Sequence, residues 1–225
     1  MATTVVEKAL ITILVIDDHE SVLGGTVAVL KNHYPDAEIL TAINAENARH
    51  QIRTFQPDVV VMDLFIPEHP GTTAKADTGL QLLRTVMKEY QNLNLVVQSA
   101  HVRTLVRIQP DIENHKGGFT VADKSLTTRE MLTRVDWALQ GLTHTKDIKS
   151  IYAGLEVKPV WLQLLTLAFE EGLQDKIIAE RMSVSERMVR HYWSKLQDAL
   201  EVYPEEGRNI RIQTEMQARA KGLID

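Results

Sequence analysis

Two short apolar runs constrain this chain more than any other feature. Ile11-Thr12-Ile13-Leu14-Val15-Ile16 ends in Asp17-Asp18, and Val59-Val60-Val61-Met62 ends in Asp63-Leu64. Runs this short, apolar but for Thr12 and rich in β-branched residues, read as strands buried on both faces, as in a parallel sheet. Acidic residues just past the C-terminal ends of such strands fall at the crevice where open α/β sheets bind ligands. Three carboxylates converging there repel one another unless a cation joins them. Mg²⁺ is the natural candidate, because it prefers hard oxygen ligands and keeps part of its water shell.

Further strands feed the same edge. Asn94 to Gln98 reads as a strand followed by Ser99-Ala100, and Phe119 to Asp123 as another followed by Lys124-Ser125. Glu38 to Ala42 adds one more. Helical periodicity fills the gaps: Val22, Leu23, Val27 and Leu30; Ala45, Ala48, Ile52 and Phe55; Leu80, Leu83, Val86, Met87 and Tyr90; Leu132, Val135 and Leu139. A β-α unit repeated five times implies a parallel sheet covered by helices on both faces. The segment from Ile66 to Thr78 makes a long loop beside the acidic edge, and Pro110 is expected to end or kink the fourth helix.

Successive strand ends thus deliver two acids, one acid, one hydroxyl and one lysine. That ordered set, Asp17-Asp18, Asp63, Ser99 and Lys124, resembles the receiver domain of two-component response regulators over residues 9–144. The resemblance implies a flavodoxin-like, five-stranded, doubly wound parallel sheet. It implies that Asp63 accepts a phosphoryl group from a sensor histidine kinase. It places Mg²⁺ on Asp18, Asp63 and the backbone carbonyl of Phe65, with Asp17 acting through water, and it assigns Ser99 and Lys124 to the phosphoryl oxygens. Receivers usually carry an aromatic residue three positions before the lysine. Here that position is Val121, and Phe119 lies two residues earlier.

Thr143 to Gly154 mixes polar residues and glycine without an apolar face, and the linker is placed at 145–154. Beyond it, three helices with tight connections are expected. The first runs from Trp161 to Glu171 and is ended by Gly172. The second runs from Gln174 to Met182. The third begins at Ser185, a good N-cap, and runs to about Leu200. A last helix runs from Ile210 to Lys221 and stops at Gly222. A short helix, a tight turn and a longer helix make a helix-turn-helix. On the third helix, Val189, Trp193, Leu196 and Leu200 share a narrow arc with Tyr192 at its edge. Arg187, Arg190, His191, Ser194 and Lys195 fall opposite. Cations at the edges of a helix and hydrogen-bonding groups at its centre suit a major groove. Residues 155–225 resemble the small all-α LuxR-type effector domain of NarL/FixJ-like regulators. In that resemblance Arg190, His191 and Ser194 reach bases. The family reading implies double-stranded promoter DNA as partner and a homodimer when active.

Composition narrows the field. Cysteine is absent, so disulfides and thiolate metal sites are excluded. The N-terminal residues lack a basic segment followed by an apolar run, and no apolar run is long enough to span a bilayer, so a cytoplasmic protein with no membrane partner is expected. Net charge is −5, which argues against indiscriminate nucleic-acid binding. Residues 150–225 hold 10 Lys+Arg against 12 Asp+Glu, so any DNA surface must be a local patch. That balance motivates a rival reading, a signalling adaptor whose C-terminal domain binds protein. A phosphatase-like enzyme is disfavoured, because no further acid–base residue stands out near Asp63. The expectation is a regulator, not an enzyme.

Overall fold

The computed structural model describes residues 10–144 and 158–225. The expected linker at 145–154 lies outside the described residues, as do residue 9 and residues 155–157 at the edges of the two expected domains. The described residues form two compact units, 10–102 with 110–144, and 103–109 with 158–225.

In the first unit five strands alternate with helices: β1 (Thr12–Ile16), α1 (Glu20–His33), β2 (Glu38–Ala42), α2 (Ala45–Phe55), β3 (Val59–Met62), α3 (Ala76–Glu89), β4 (Asn94–Ser99), α4 (Gln109–Asn114), β5 (Phe119–Asp123) and α5 (Thr128–Leu139). The sheet is parallel throughout, in the order β2-β1-β3-β4-β5. β1 and β3 occupy its interior, which is why their runs are apolar without alternation: all four residues of β3 are buried. Ile13, Val15, Val59, Val61 and Val96 pack with Leu23 and Leu30 of α1 and with Met131, Val135 and Ala138 of α5.

Local chemistry sets several boundaries. Asn44 caps α2 by accepting from Asn47 N at 2.8 Å. Thr127 and Glu130 form a capping box at the start of α5. Pro110 departs from expectation. A 3₁₀ helix over Val102–Ile108 gives way to α4 at Gln109, and Pro110 falls in the first turn of α4. There its missing N–H leaves no intrahelical bond unmade, so it opens a helix where an interior proline would close one.

The second unit holds α6 (Pro159–Leu165), a π turn over Thr166–Glu170, α7 (Asp175–Arg181), α8 (Glu186–Ala199) and α9 (Ile210–Ala220). Gly172 and Gly222 follow helical segments with φ of +67° and +75°, the left-handed conformation that ends a helix most easily on glycine. Three helices converge on Asp175: its carboxylate accepts from Trp193 Nε1 at 3.1 Å and from Arg211 Nη2 at 2.9 and 2.7 Å. The Arg211 guanidinium also lies 3.6 Å from the centre of the Trp193 ring.

Candidate functional site

The parallel register puts the C-terminal ends of β1, β3, β4 and β5 side by side. Asp17 and Asp63 are each 4% exposed, and Ser99 is fully buried. Asp63 is held on both oxygens. Oδ1 accepts from Ser99 Oγ at 2.6 Å, from Leu64 N at 2.6 Å and from Phe65 N at 3.2 Å. Oδ2 accepts from Lys124 Nζ at 2.6 Å, and the same ammonium reaches Asp17 Oδ2 at 2.7 Å. Asp17 Oδ1 accepts from His19 N at 2.9 Å. The structure therefore brings together Asp17, Asp18, Asp63, Ser99 and Lys124, with Phe65 two residues past Asp63 at the same edge.

Burial pulls the Lys124 ammonium down, but hydrogen bonds and charge from Asp17 and Asp63 outweigh it, so its pKa lies above the usual lysine value. One lysine against three carboxylates leaves a local excess of negative charge. Asp18 Oδ1 is buried and accepts no hydrogen bond, although His19 Nδ1 stands 2.8 Å away as its ion-pair neighbour. A buried carboxylate oxygen left without a donor, inside an anionic oxygen cluster, is a good fit to a hard divalent cation.

In the second unit α8 begins where expected: Ser185 Oγ accepts from Met188 N at 3.2 Å. Val189, Trp193, Leu196 and Leu200 are buried, and Tyr192 is half-buried at their edge. Arg187, Arg190, His191, Ser194 and Lys195 are all exposed on the opposite side. Arg190 stands 3.8 Å from Glu186, and Lys195 stands 3.9 Å from Asp198.

The family model of the response regulator receiver domain matches residues 13–136, more than half of the chain. The chain belongs to the response regulator receiver family. The fold class and the resemblance read from the strand ends are borne out. Among curated relatives, the oxygen regulatory protein NreC of Staphylococcus aureus is 28% identical over 204 residues, covering 82% of this chain and 90% of its own. The transcriptional regulatory protein YdfI of Bacillus subtilis is 25% identical over 219 residues, covering 94% and 97%. Among solved structures, RcsB of Salmonella enterica serovar Typhimurium, bound to promoter rprA, aligns with a TM-score of 0.59 at 15% identity, over 93% of this chain and 99% of that one. At that identity the likeness is one of fold.

Two features distinguish this receiver. The long loop is tied back to α2: Ala45 N and Glu46 N donate to the carbonyls of Pro67 and Glu68. Arg49 pairs with Glu68, and His69 Nδ1 lies 3.2 Å from Glu46. Glu68 and His69 are thus engaged with α2. The second feature is aromatic. Val121 and Phe119 are both buried in β5, while Phe65 stacks on His101, centroids 5.1 Å apart, at the ends of β3 and β4. His19 offers a nitrogen within 4.8 Å of ligand atoms from Asp17 and Asp18. Its position directly after two acids was the available signal. No helix among the described residues is long and apolar enough to cross a membrane.

Proposed function

We propose that this receiver takes a phosphoryl group on Asp63 from a phosphohistidine of a sensor kinase and passes the signal to DNA through α8. The observation that supports it best is Asp63 itself: a buried carboxylate whose two oxygens are oriented by Ser99, two backbone N–H groups and Lys124. In the transfer, an Asp63 oxygen bonds phosphorus as the phosphorus–nitrogen bond breaks, and the imidazole leaves. Lys124 and Ser99 then supply charge and a hydrogen bond to the phosphoryl oxygens. Such chemistry rests on positioning and electrostatics. Asp17, Asp18, Asp63 and the carbonyl of Phe65 would hold Mg²⁺, which when bound offsets further charge on those oxygens. Phosphorylation shifts a pre-existing equilibrium between two receiver states.

In the same reading, residues 9–144 are the receiver, 145–154 the linker and 155–225 a LuxR-type effector. Arg187 and Lys195 contact phosphates, while Arg190, His191 and Ser194 face base edges. The active form is a homodimer on paired half-sites. The protein acts in the cytoplasm as a regulator, not as an enzyme with its own substrate turnover. The acid-rich balance of residues 150–225, 10 Lys+Arg against 12 Asp+Glu, favours a second reading, an adaptor whose C-terminal part binds protein.

Labelling with a small-molecule phosphodonor in Mg²⁺ tests the acceptor. The parent protein gains one acid-labile phosphoryl group, and Asp63→Asn gains none. Stoichiometric labelling of Asp63→Asn would refute the assignment.

A further inference from the structure

Two of the three cations on the exposed face of α8 already have a carboxylate beside them. Arg190 lies 3.8 Å from Glu186 and Lys195 lies 3.9 Å from Asp198. All four side chains are more than half exposed. Exposed pairs at these separations do little to hold the helix together. Their consequence is at the surface. A phosphate approaching either cation also approaches its carboxylate.

Position sharpens the point. At ~100° per residue, Asp198 projects within ~20° of Arg187 and of His191. It therefore lies on the centre line of the polar face, not at its margin. Glu186 has a local reason to be where it is, because an acid in the first turn favours a helix N-terminus. Asp198 has none. It stands one residue before the end of α8, where a carboxylate opposes the helix dipole. Arg187 is the one cation of the three for which no ion pair is found among the described residues.

We infer that Asp198, with Glu186, acts as a built-in counter-charge that suppresses non-specific DNA binding by α8. The inference rests on the DNA reading and deepens it. Non-specific affinity comes from releasing counterions at phosphates, and it scales with the number of cations free to replace them. With Arg190 and Lys195 offset, the helix offers duplex DNA little net charge. Base contacts and the pairing of two effector domains must then supply the binding. A single effector domain on arbitrary sequence is held weakly, so occupancy depends on the right site and on dimer formation. Asp198 and Glu186 are specificity-determining residues in this sense.

The test is a salt titration of full-length protein binding to a random-sequence duplex and to the best fragment selected from a genomic pool. The proteins are the parent, Asp198→Asn, the double variant Glu186→Gln/Asp198→Asn, and two controls at exposed acids outside α8, Glu206→Gln, which matches the charge change of Asp198→Asn, and Glu205→Gln/Glu206→Gln, which matches that of the double variant. The double variant should bind random duplex about tenfold tighter or more at low salt, with a log–log salt slope steeper by about 1–2. Its preference for the selected fragment should fall. Asp198→Asn should give about half the slope change without loss of fold, since it removes an unfavourable charge from a helix end. Both controls should leave the slope where it is. If the parent binds duplex and the double variant binds with the same slope, the counter-charge role is wrong while the DNA reading stands. An equal gain in the charge-matched control would also overturn it, because net charge would then explain the effect. If no protein of the set binds duplex at low salt, the DNA reading itself fails.

Discussion

Lys124 sits between two buried carboxylates, and the geometry decides its charge. Burial alone would favour the neutral amine, but the bonds to Asp17 and Asp63 at 2.7 and 2.6 Å outweigh it. Asp18 is the carboxylate that Lys124 does not reach, and its Oδ1 makes no hydrogen bond, with only the His19 imidazole beside it. Asp18→Ala should therefore weaken Mg²⁺ binding roughly tenfold or more by direct titration, since each oxygen ligand counts in so small a donor set. Glu68→Ala and Asp77→Ala should leave it within about twofold. Equal losses in all three would place the long loop in the metal site. A second residue-scale effect lies away from the site. Burial pushes the His115 imidazole below the ordinary histidine value of 6.5, against the opposing pull of the Leu93 and Met87 carbonyls. The native state thus holds His115 neutral more strongly than the unfolded chain does. Its contribution to stability is present above pH 6.5 and is lost as pH falls through the native pKa. His115→Gln should flatten the fall in urea midpoint between neutral pH and about pH 5. An unchanged slope would mean His115 does not resist protonation.

At the scale of elements, the site depends on how closely α3 is seated. A Cβ at Gly79 would lie 2.6 Å from the Leu64 Cα, one residue past Asp63. Backbone on both sides leaves nothing flexible to move. Gly79→Ala should destabilise the protein by about 1–3 kcal/mol in urea unfolding and slow phosphorylation of Asp63, because α3 must lift off the end of β3. Wild-type stability in that variant would mean the approach is looser than described. Gly79 was not legible in the sequence, since it sits inside a helical pattern and its neighbour across the fold is distant in the chain. The strands were legible, because burial on both faces leaves an apolar run with acids at its end. Their limits moved by a residue or two: β1 starts at Thr12, and β4 runs on to include Ser99. The N-cap of α8 and its buried face were legible for the same reason, a 3.6-residue period beginning at a serine. The pairing of Lys195 with Asp198 was written in their spacing but passed over. A carboxylate three residues past a lysine reads as ordinary helix surface until the burial of Val189, Trp193, Leu196 and Leu200 fixes which face is exposed. The coupling of Phe65 to His101 had no local signal, as it joins the ends of two strands.

For the whole molecule, charge frames the output. The chain carries a net −5, and the residues after 150 hold more acids than bases, yet α8 gathers three cations on one exposed face. A protein of that balance binds nucleic acid by placement of charge and not by an overall field. In the proposed function the first unit provides the carboxylate that is phosphorylated and the second provides the helix. On that proposal a phosphoryl group on Asp63 controls what α8 does at DNA. The most direct measurement is full-length protein against a genomic fragment pool, with and without a small-molecule phosphodonor and Mg²⁺, in parallel with Asp63→Asn. The parent should enrich a discrete set of fragments, and the phosphodonor should strengthen that enrichment about tenfold, the gain expected of a coupling free energy of about 1.4 kcal/mol. Asp63→Asn should show no such gain. No enrichment of any fragment at low salt, with Asp63 fully phosphorylated, would rule out control of DNA binding by Asp63 and favour an adaptor whose second unit binds protein.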